Sequence, residues 1–190
     1  MSEPRSAPVT VPTVRATKVR DGHQPLVMVT AYDAPGARMV DEAGVDMILV
    51  GDSLAMVVLG YEDTLSVTVA DMAHHTAAVA RARPHALVVA DLPWLSYHVS
   101  VEDTVRNAAV LIRAGAQAVK LEGGAKRLPM VRALIDAEIP VMGHLGLTPQ
   151  SVHAMGGFKV QAKGTAAARA LIADAGDLAA AGCFSIVVEG

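Results

Sequence analysis

Short apolar runs recur along the chain from Pro25 onward, at residues 26–30, 47–50, 87–90, 118–121, 140–143 and 185–188. Each is followed by a polar turn, a stretch of helical period and often an Ala-Gly pair before the next run begins. Their continuous apolarity predicts strands buried on both faces, as in parallel sheets, rather than the alternation of a half-exposed strand. Between the runs, Thr68 is placed to cap a helix carrying Val69, Met72, Ala73, Thr76, Val79 and Ala80 on one face. Ser100 is placed to cap the next, with Val101, Val105, Ala108 and Ile112 directed inward. Gly44, Gly115 and Gly182 each follow an alanine where a helix is expected to stop in a left-handed turn.

Strands alternating with helices imply right-handed crossovers and a parallel α/β sheet. Two architectures satisfy the pattern, an open doubly wound sheet or part of a (β/α) barrel. Six strand runs are present, against the eight of a complete barrel. Four of the runs lead into an acid: Asp52, Asp91, Glu122 and Glu189. Parallel strands present their carboxyl ends at one rim, so these acids, distant in sequence, are expected to converge. Asp52 with Ser53, and Asp91, each have an alternative as turn or cap residues. Glu122 and Glu189 lack that habit, and each precedes glycine, which permits close approach of backbone or ligand.

Composition narrows the function. With 52% hydrophobic residues and a net charge of −3 over 190 residues, the chain has ample material for one core. No basic block supports binding of nucleic acid or an anionic membrane. Cys183 is the only cysteine, which excludes a disulfide or a thiolate metal cluster within one chain and fits a reducing, cytoplasmic setting. The longest apolar stretch, 47–59, is interrupted by Asp52, so no membrane span is expected. Residues 1–20 are polar and contain Pro4, Pro8 and Pro12; they read as a loose arm and not a signal peptide. The expected organisation is a flexible arm over 1–24 and an incomplete barrel, the catalytic domain, over 25–190.

Lys120 precedes Glu122 by two residues, so both point to one face of their strand. It is expected to pair with the acids, to anchor a substrate carboxylate, or both. His144 follows the fifth run at the same rim. His74 and His75 are adjacent on a helix, face different directions, and read as structural; His23, His85, His98 and His153 have no evident partners. Asp52, Asp91, Glu122 and Glu189 with Lys120 leave three negative charges when His144 is neutral. At an effective dielectric of 20, each like pair at 4 Å costs about 4 kcal/mol, so a proton or a cation must relieve the rim. Oxygen donors without a Cys/His cluster favour a hard ion, Mg²⁺ before Zn²⁺. The connection from His144 to Gly164, with Thr148-Pro149 placed as a cap and first-turn proline, exceeds the usual length and is expected to act as a lid.

Six stretches in order carry a resemblance: Val29-Thr30-Ala31-Tyr32-Asp33, Leu49-Val50-Gly51-Asp52-Ser53, Ala90-Asp91-Leu92-Pro93, Val119-Lys120-Leu121-Glu122-Gly123-Gly124, Gly143-His144-Leu145-Gly146-Leu147-Thr148-Pro149-Gln150-Ser151 and Gly156-Gly157-Phe158-Lys159-Val160-Gln161. Together they resemble the ketopantoate hydroxymethyltransferase family of the pantothenate and coenzyme A pathway. The resemblance implies a (β/α)8 TIM barrel of the phosphoenolpyruvate mutase/isocitrate lyase superfamily, here with about six βα units, in a cytoplasmic homodecamer. It implies transfer of a hydroxymethyl group from 5,10-methylenetetrahydrofolate to 3-methyl-2-oxobutanoate, giving 2-dehydropantoate, with Mg²⁺ and no nucleic-acid or membrane partner. By position, Asp52 and Asp91 match metal ligands and Glu122 a further acid of the metal site. Asp52, Ser53, Asp91, Lys120 and His144 match residues at the oxo-acid, and Glu189 matches the catalytic proton acceptor.

Three departures stand out. Ala162 occupies a position where the family usually has glycine, and Trp94 replaces a usual phenylalanine. The chain stops at Gly190 where the family continues through two more βα units, so a C-terminally truncated product or partial sequence is expected, with little activity on its own. The alternatives are a Mg²⁺-dependent oxo-acid C–C lyase of the same superfamily, or a non-catalytic remnant. Against the lyase, Cys183 lies in the wrong place for the mobile-loop cysteine such enzymes commonly use.

Overall fold

A computed structural model describes residues 7–190; of the arm expected over 1–24, residues 1–6 lie outside the described residues. Six parallel strands form one sheet in strict chain order: β1 (Met28–Thr30), β2 (Met47–Val50), β3 (Leu87–Asp91), β4 (Ala118–Glu122), β5 (Val141–Gly146) and β6 (Ser185–Glu189). The helices are α1 (Val11–Ala16), α2 (Ala34–Glu42), α3 (Leu54–Val57), α4 (Val69–Ala80), α5 (Val101–Arg113), α6 (Leu128–Asp136), α7 (Val152–Met155) and α8 (Thr165–Ala180). Strand order decides between the two architectures. A doubly wound sheet reverses its direction of growth at a switch point, whereas here every strand is laid beside its predecessor, as in a (β/α) barrel.

Alternate residues along each strand serve two cores. Ile48, Val50, Val88, Ala90, Val119, Leu121 and Val141 pack against Met72, Val79, Ala108, Leu111, Val131, Leu134 and Leu178 of the surrounding helices. On the other face, Met47, Leu87, Val89, Ala118, Met142 and Phe184 form a smaller cluster with Val14 of α1. Part of the stretch read as a loose arm therefore packs on the sheet. Thr10 caps α1 by accepting from the Thr13 N–H, a proline stands in its first turn, and Val14 is buried. The Val9 N–H adds a bond to the His85 carbonyl at 2.8 Å. A Thr followed two residues later by Pro is a helix-start signal, which the reading of residues 1–20 as a polar, proline-containing arm passes over.

The strands run further than their apolar runs suggest. β3, β4 and β6 each end on the acid expected just beyond them, and β5 continues through His144 to Gly146. Polar residues fit there because the parallel ladder persists: Glu122 lies opposite His144, and Gly146 opposite Glu189. β1 begins at Met28, two residues later than expected.

The helix caps form as expected at Thr68 and Ser100, which accept from the Asp71 and Asp103 N–H groups. The inward stripe of α5 differs: Thr104, Ala108 and Leu111 are fully buried, while Val101, Val105 and Ile112 flank them. Thr104 is tolerated because its hydroxyl donates to the Ser100 carbonyl at 2.8 Å. Gly115, with φ +112°, ends α5 where a side chain would overlap Ala80 of α4.

At α4 the cap is reciprocal, the Asp71 carboxylate accepting from the Thr68 N–H (2.9 Å) and hydroxyl (2.6 Å). Those bonds hold the Asp71 carboxyl below its ordinary value. Replacing Thr68 by alanine is expected to lower stability by about 1 kcal/mol, read as a shift in the urea midpoint with unchanged slope.

Candidate active site

The ends of β3, β4 and β5 bring Asp91, Lys120, Glu122 and His144 to the sheet face opposite the helices, all nearly inaccessible to solvent. The Lys120 ammonium lies 3.0 Å from Asp91 Oδ1 and 3.2 Å from His144 Nδ1. Since an ammonium only donates, Nδ1 accepts, and the imidazole is neutral with its proton on Nε2. That Nε2 lies 3.2 Å from Glu189 Oε2 at the end of β6, close enough for a charge contact but too poorly aligned for a hydrogen bond. His144 Nδ1 is also 3.5 Å from Glu122 Oε1. A line of groups, Asp91–Lys120–His144–Glu189, therefore crosses four adjacent strands. Only Glu189 is open to solvent, with its side chain 46% exposed.

β6 meets β5 closely at this point. The Leu147 N–H donates to the Glu189 carbonyl at 2.7 Å. Gly146, at φ +89°, has no room for a Cβ, which would overlap that same carbonyl oxygen.

Asp52 follows β2, and its N–H donates to Asp91 Oδ2 at 3.0 Å, so the two carboxylates are neighbours. Ser53 lies at the same strand end, its hydroxyl 3.1 Å from the Tyr32 hydroxyl. It opens α3 without a side-chain capping bond, so it is free of the cap role considered for it. Every site residue read from the sequence is thus found at one rim, in one chain of contacts or directly beside it.

Two residues of this rim escaped the sequence reading. Gln150, in the 3₁₀ turn Pro149–Ser151, donates through Nε2 to Asp52 Oδ2 (2.8 Å) and to the Leu92 carbonyl (3.0 Å). Its backbone N–H donates to Glu122 Oε2 at 3.1 Å. Tyr97, fully buried, donates to Gln150 Oε1 at 2.6 Å and accepts from the Glu122 N–H at 3.1 Å. Neither has a local signature, since both reach the site from loops. Thr148 precedes the turn as expected but makes no capping bond with its side chain.

His75 Nδ1 lies 2.7 Å from the Tyr32 carbonyl. His85, which had no evident partner in the sequence, meets Asp41 at 3.3 Å. His98 stacks on Tyr97 with ring centres 4.2 Å apart, and burial, aided by Arg127, pushes it down to about 4.

Electrostatics follow from the crowding. Burial, then the charge of Asp91, pushes the Asp52 carboxyl up to about 8, with Glu122 adding and Lys120 opposing. Burial also raises Asp91. Burial works against the Lys120 ammonium, but Asp91, Glu122 and Asp52 outweigh it and hold its pKa above the ordinary value. The donor chemistry of Asp52, Asp91 and Glu122 suits a hard divalent cation. Asp91 Oδ1 is buried without a hydrogen bond, its contact with Lys120 being close enough for an ion pair but poorly aligned. Among the described residues no three His, Cys, Asp or Glu side chains already converge on one metal position. The Gln150 amide and the Lys120 ammonium instead stand at the Asp52 and Asp91 oxygens.

A carboxyl whose pKa is raised on folding adds stability below its unfolded pKa, near 4, and loses it as pH rises toward the folded value. Without divalent cations, the melting temperature is therefore expected to fall between pH 4 and the Asp52 value of about 8. Asp52→Asn is expected to flatten that slope, and thermal melts across the range check it.

The sequence model of the ketopantoate hydroxymethyltransferase family matches residues 8–190. The chain is 60% identical over 182 residues to "3-methyl-2-oxobutanoate hydroxymethyltransferase 2" of Bradyrhizobium diazoefficiens, covering 96% of this chain and 61% of that protein. It is 60% identical over 172 residues to the 3-methyl-2-oxobutanoate hydroxymethyltransferase of Ignicoccus hospitalis, covering 90% and 65%. The chain thus spans about three-fifths of the length of such relatives. Among solved structures, phosphoenolpyruvate phosphomutase from Streptomyces platensis subsp. rosaceus superposes with a TM-score of 0.68 at 17% identity, over 94% of this chain and 63% of that one. A 2,3-dimethylmalate lyase, described as a PEP mutase/isocitrate lyase superfamily member, gives 0.66 at 19% identity over 94% and 63%. These likenesses show the fold of this chain, part of a TIM barrel. On the match across residues 8–190, the chain belongs to the ketopantoate hydroxymethyltransferase family.

Proposed function

We propose that residues 25–190 carry the reaction centre for transfer of a hydroxymethyl group from 5,10-methylenetetrahydrofolate to 3-methyl-2-oxobutanoate, giving 2-dehydropantoate. The observation that carries the reading is the line Lys120–His144–Glu189, set beside neighbouring Asp52 and Asp91 at one strand-end rim. The names of the relatives support the substrate class. Assembly as a homo-oligomer and a cytoplasmic setting belong to the same reading and rest on family resemblance. Among the described residues no helix is long and apolar enough to cross a membrane.

Asp52 and Asp91 would hold Mg²⁺, with Glu122 as the further acid. When bound, the ion would supply Lewis acidity toward the carboxylate and keto oxygens of the oxo-acid. Glu189, the solvent-open member of the line, removes the proton from C3 of the oxo-acid. The electron pair of that C–H bond moves toward the keto group. Water opens the methylene bridge of the folate, breaking both of its carbon–nitrogen bonds; its two hydrogens go to the freed nitrogens and its oxygen stays on the carbon, which is then at the formaldehyde level. C3 bonds to that carbon, the keto group re-forms, and the new alkoxide takes up the proton held by Glu189. His144, held through Nδ1 by Lys120, keeps its Nε2 within 3.2 Å of Glu189 and so limits where the base can stand. Lys120 and Ser53 contact the oxo-acid, and Tyr32 orients the Ser53 hydroxyl.

The lyase alternative gains nothing from Cys183. Burial keeps the thiol inaccessible and pushes it up to about 11, which removes the thiolate such chemistry needs.

With Mg²⁺ in D₂O, the protein is expected to exchange the C3 hydrogen of 3-methyl-2-oxobutanoate, followed by proton NMR. Glu189→Gln is expected to slow exchange by about 10²–10⁴-fold while still binding the oxo-acid. Unimpaired exchange in that variant would reject Glu189 as the base. Exchange without 2-dehydropantoate on adding the folate would leave the transfer step unsupported, and absence of both would favour the remnant.

A further inference from the structure

Gln150 and Tyr97 are buried at the acid cluster, yet the reaction outlined above gives neither a role. Every polar atom of the Gln150 amide is used. The end that touches Asp52 Oδ2 (2.8 Å) also meets the Leu92 carbonyl (3.0 Å), which can only accept, so it must be the NH₂ group. The other end, 2.6 Å from the Tyr97 hydroxyl, must accept. Tyr97 is fixed in turn, because its oxygen takes the Glu122 N–H at 3.1 Å. The Gln150 N–H closes the ring on Glu122 Oε2 at 3.1 Å. One amide orientation satisfies all of these bonds, and reversing it would set an oxygen against the Leu92 carbonyl.

The choice of a neutral donor is itself informative. An arginine or lysine at this place would hold Asp52 equally well, but its charge would neutralise the carboxylate and compete with any cation there. A primary amide orients the carboxylate and leaves its charge in place. We infer that Gln150, locked by Tyr97, is a positioning residue that sets the Asp52 and Glu122 carboxylates for a divalent cation and couples that setting to the 147–164 connection. The inference rests on the proposed cation role of Asp52 and Glu122. It assigns to the loop after β5 a task other than covering the site: the loop delivers the outer contacts that aim carboxylates borne by β4 and by the turn after β2.

Manganese titration followed by electron paramagnetic resonance tests this on the purified chain, using wild type, Gln150→Met, Tyr97→Phe and Asp52→Asn. Met fills the space of Gln without hydrogen bonds, and Phe removes only the hydroxyl. Loss of such outer contacts weakens metal affinity by about 10–100-fold, and this is the increase in Kd expected for both variants, with far-UV circular dichroism unchanged. The spectrum of the bound ion is expected to broaden as the ligands lose their fixed orientation, which a merely structural contact would not cause. Binding within twofold of wild type, or tighter binding, in Tyr97→Phe overturns the inference. Tyr97→Phe decides alone should Gln150→Met fail to fold. A wild-type chain that takes up no Mn²⁺, or Asp52→Asn binding as wild type does, overturns the cation reading itself and the inference with it.

Discussion

Burying Asp52, Asp91 and Glu122 on one sheet face costs on the order of several kcal/mol per charge unless each finds a partner, and the charged partner central to all three is Lys120. Its ammonium touches Asp91 and His144, and the fields of all three carboxylates keep it charged despite complete burial. This arrangement sets much else at the rim. It determines which imidazole nitrogen carries the proton, and so which way His144 presents a donor. It also leaves the cluster with an excess of carboxylates, and burial first, then the charge of Asp91, pushes Asp52 up to about 8. A site in that condition favours a hard cation for reasons internal to its own charges.

The rim is also a junction of elements. Strand register brings Lys120 beside Asp91 and His144 beside Glu122, but register alone does not aim a carboxylate. That is done from two loops, by Tyr97 after β3 and Gln150 after β5. The sheet supplies position and the loops supply orientation. Such a division suits barrel chemistry, where a rigid scaffold presents groups that shorter irregular segments adjust.

Much of this was legible in the sequence, for physical reasons. Strands buried on both faces must be apolar throughout, so runs such as 87–90 and 118–121 stand out, and an acid at the end of one has few structural excuses. The helix caps at Thr68 and Ser100 are local bonds and leave local signatures. What could not be read depended on distant approach. Gln150 bonds Asp52 across 98 positions and Tyr97 across 53, and no periodicity encodes such pairs. The inward face of α5 was misjudged by a fraction of a turn, because Thr104 hides its polarity by bonding its own helix. The helix at Val11–Ala16 was missed for a different reason, its proline standing in the first turn, where proline is tolerated. In the family comparison Ala162 was noted only as a missing glycine; its φ of +56° shows that the backbone keeps the left-handed form glycine would favour.

Gly146 carries no chemistry, yet it is pressed against the backbone of the residue assigned as base. A single methyl group there would push the end of β6 away from β5, displacing Glu189 while leaving the cores and the acid cluster intact. On the role proposed for Glu189, variation at this position would cost turnover in a protein that still folds. A genetic survey would then score it as a lesion of the reaction, although the altered atom never meets a reactant.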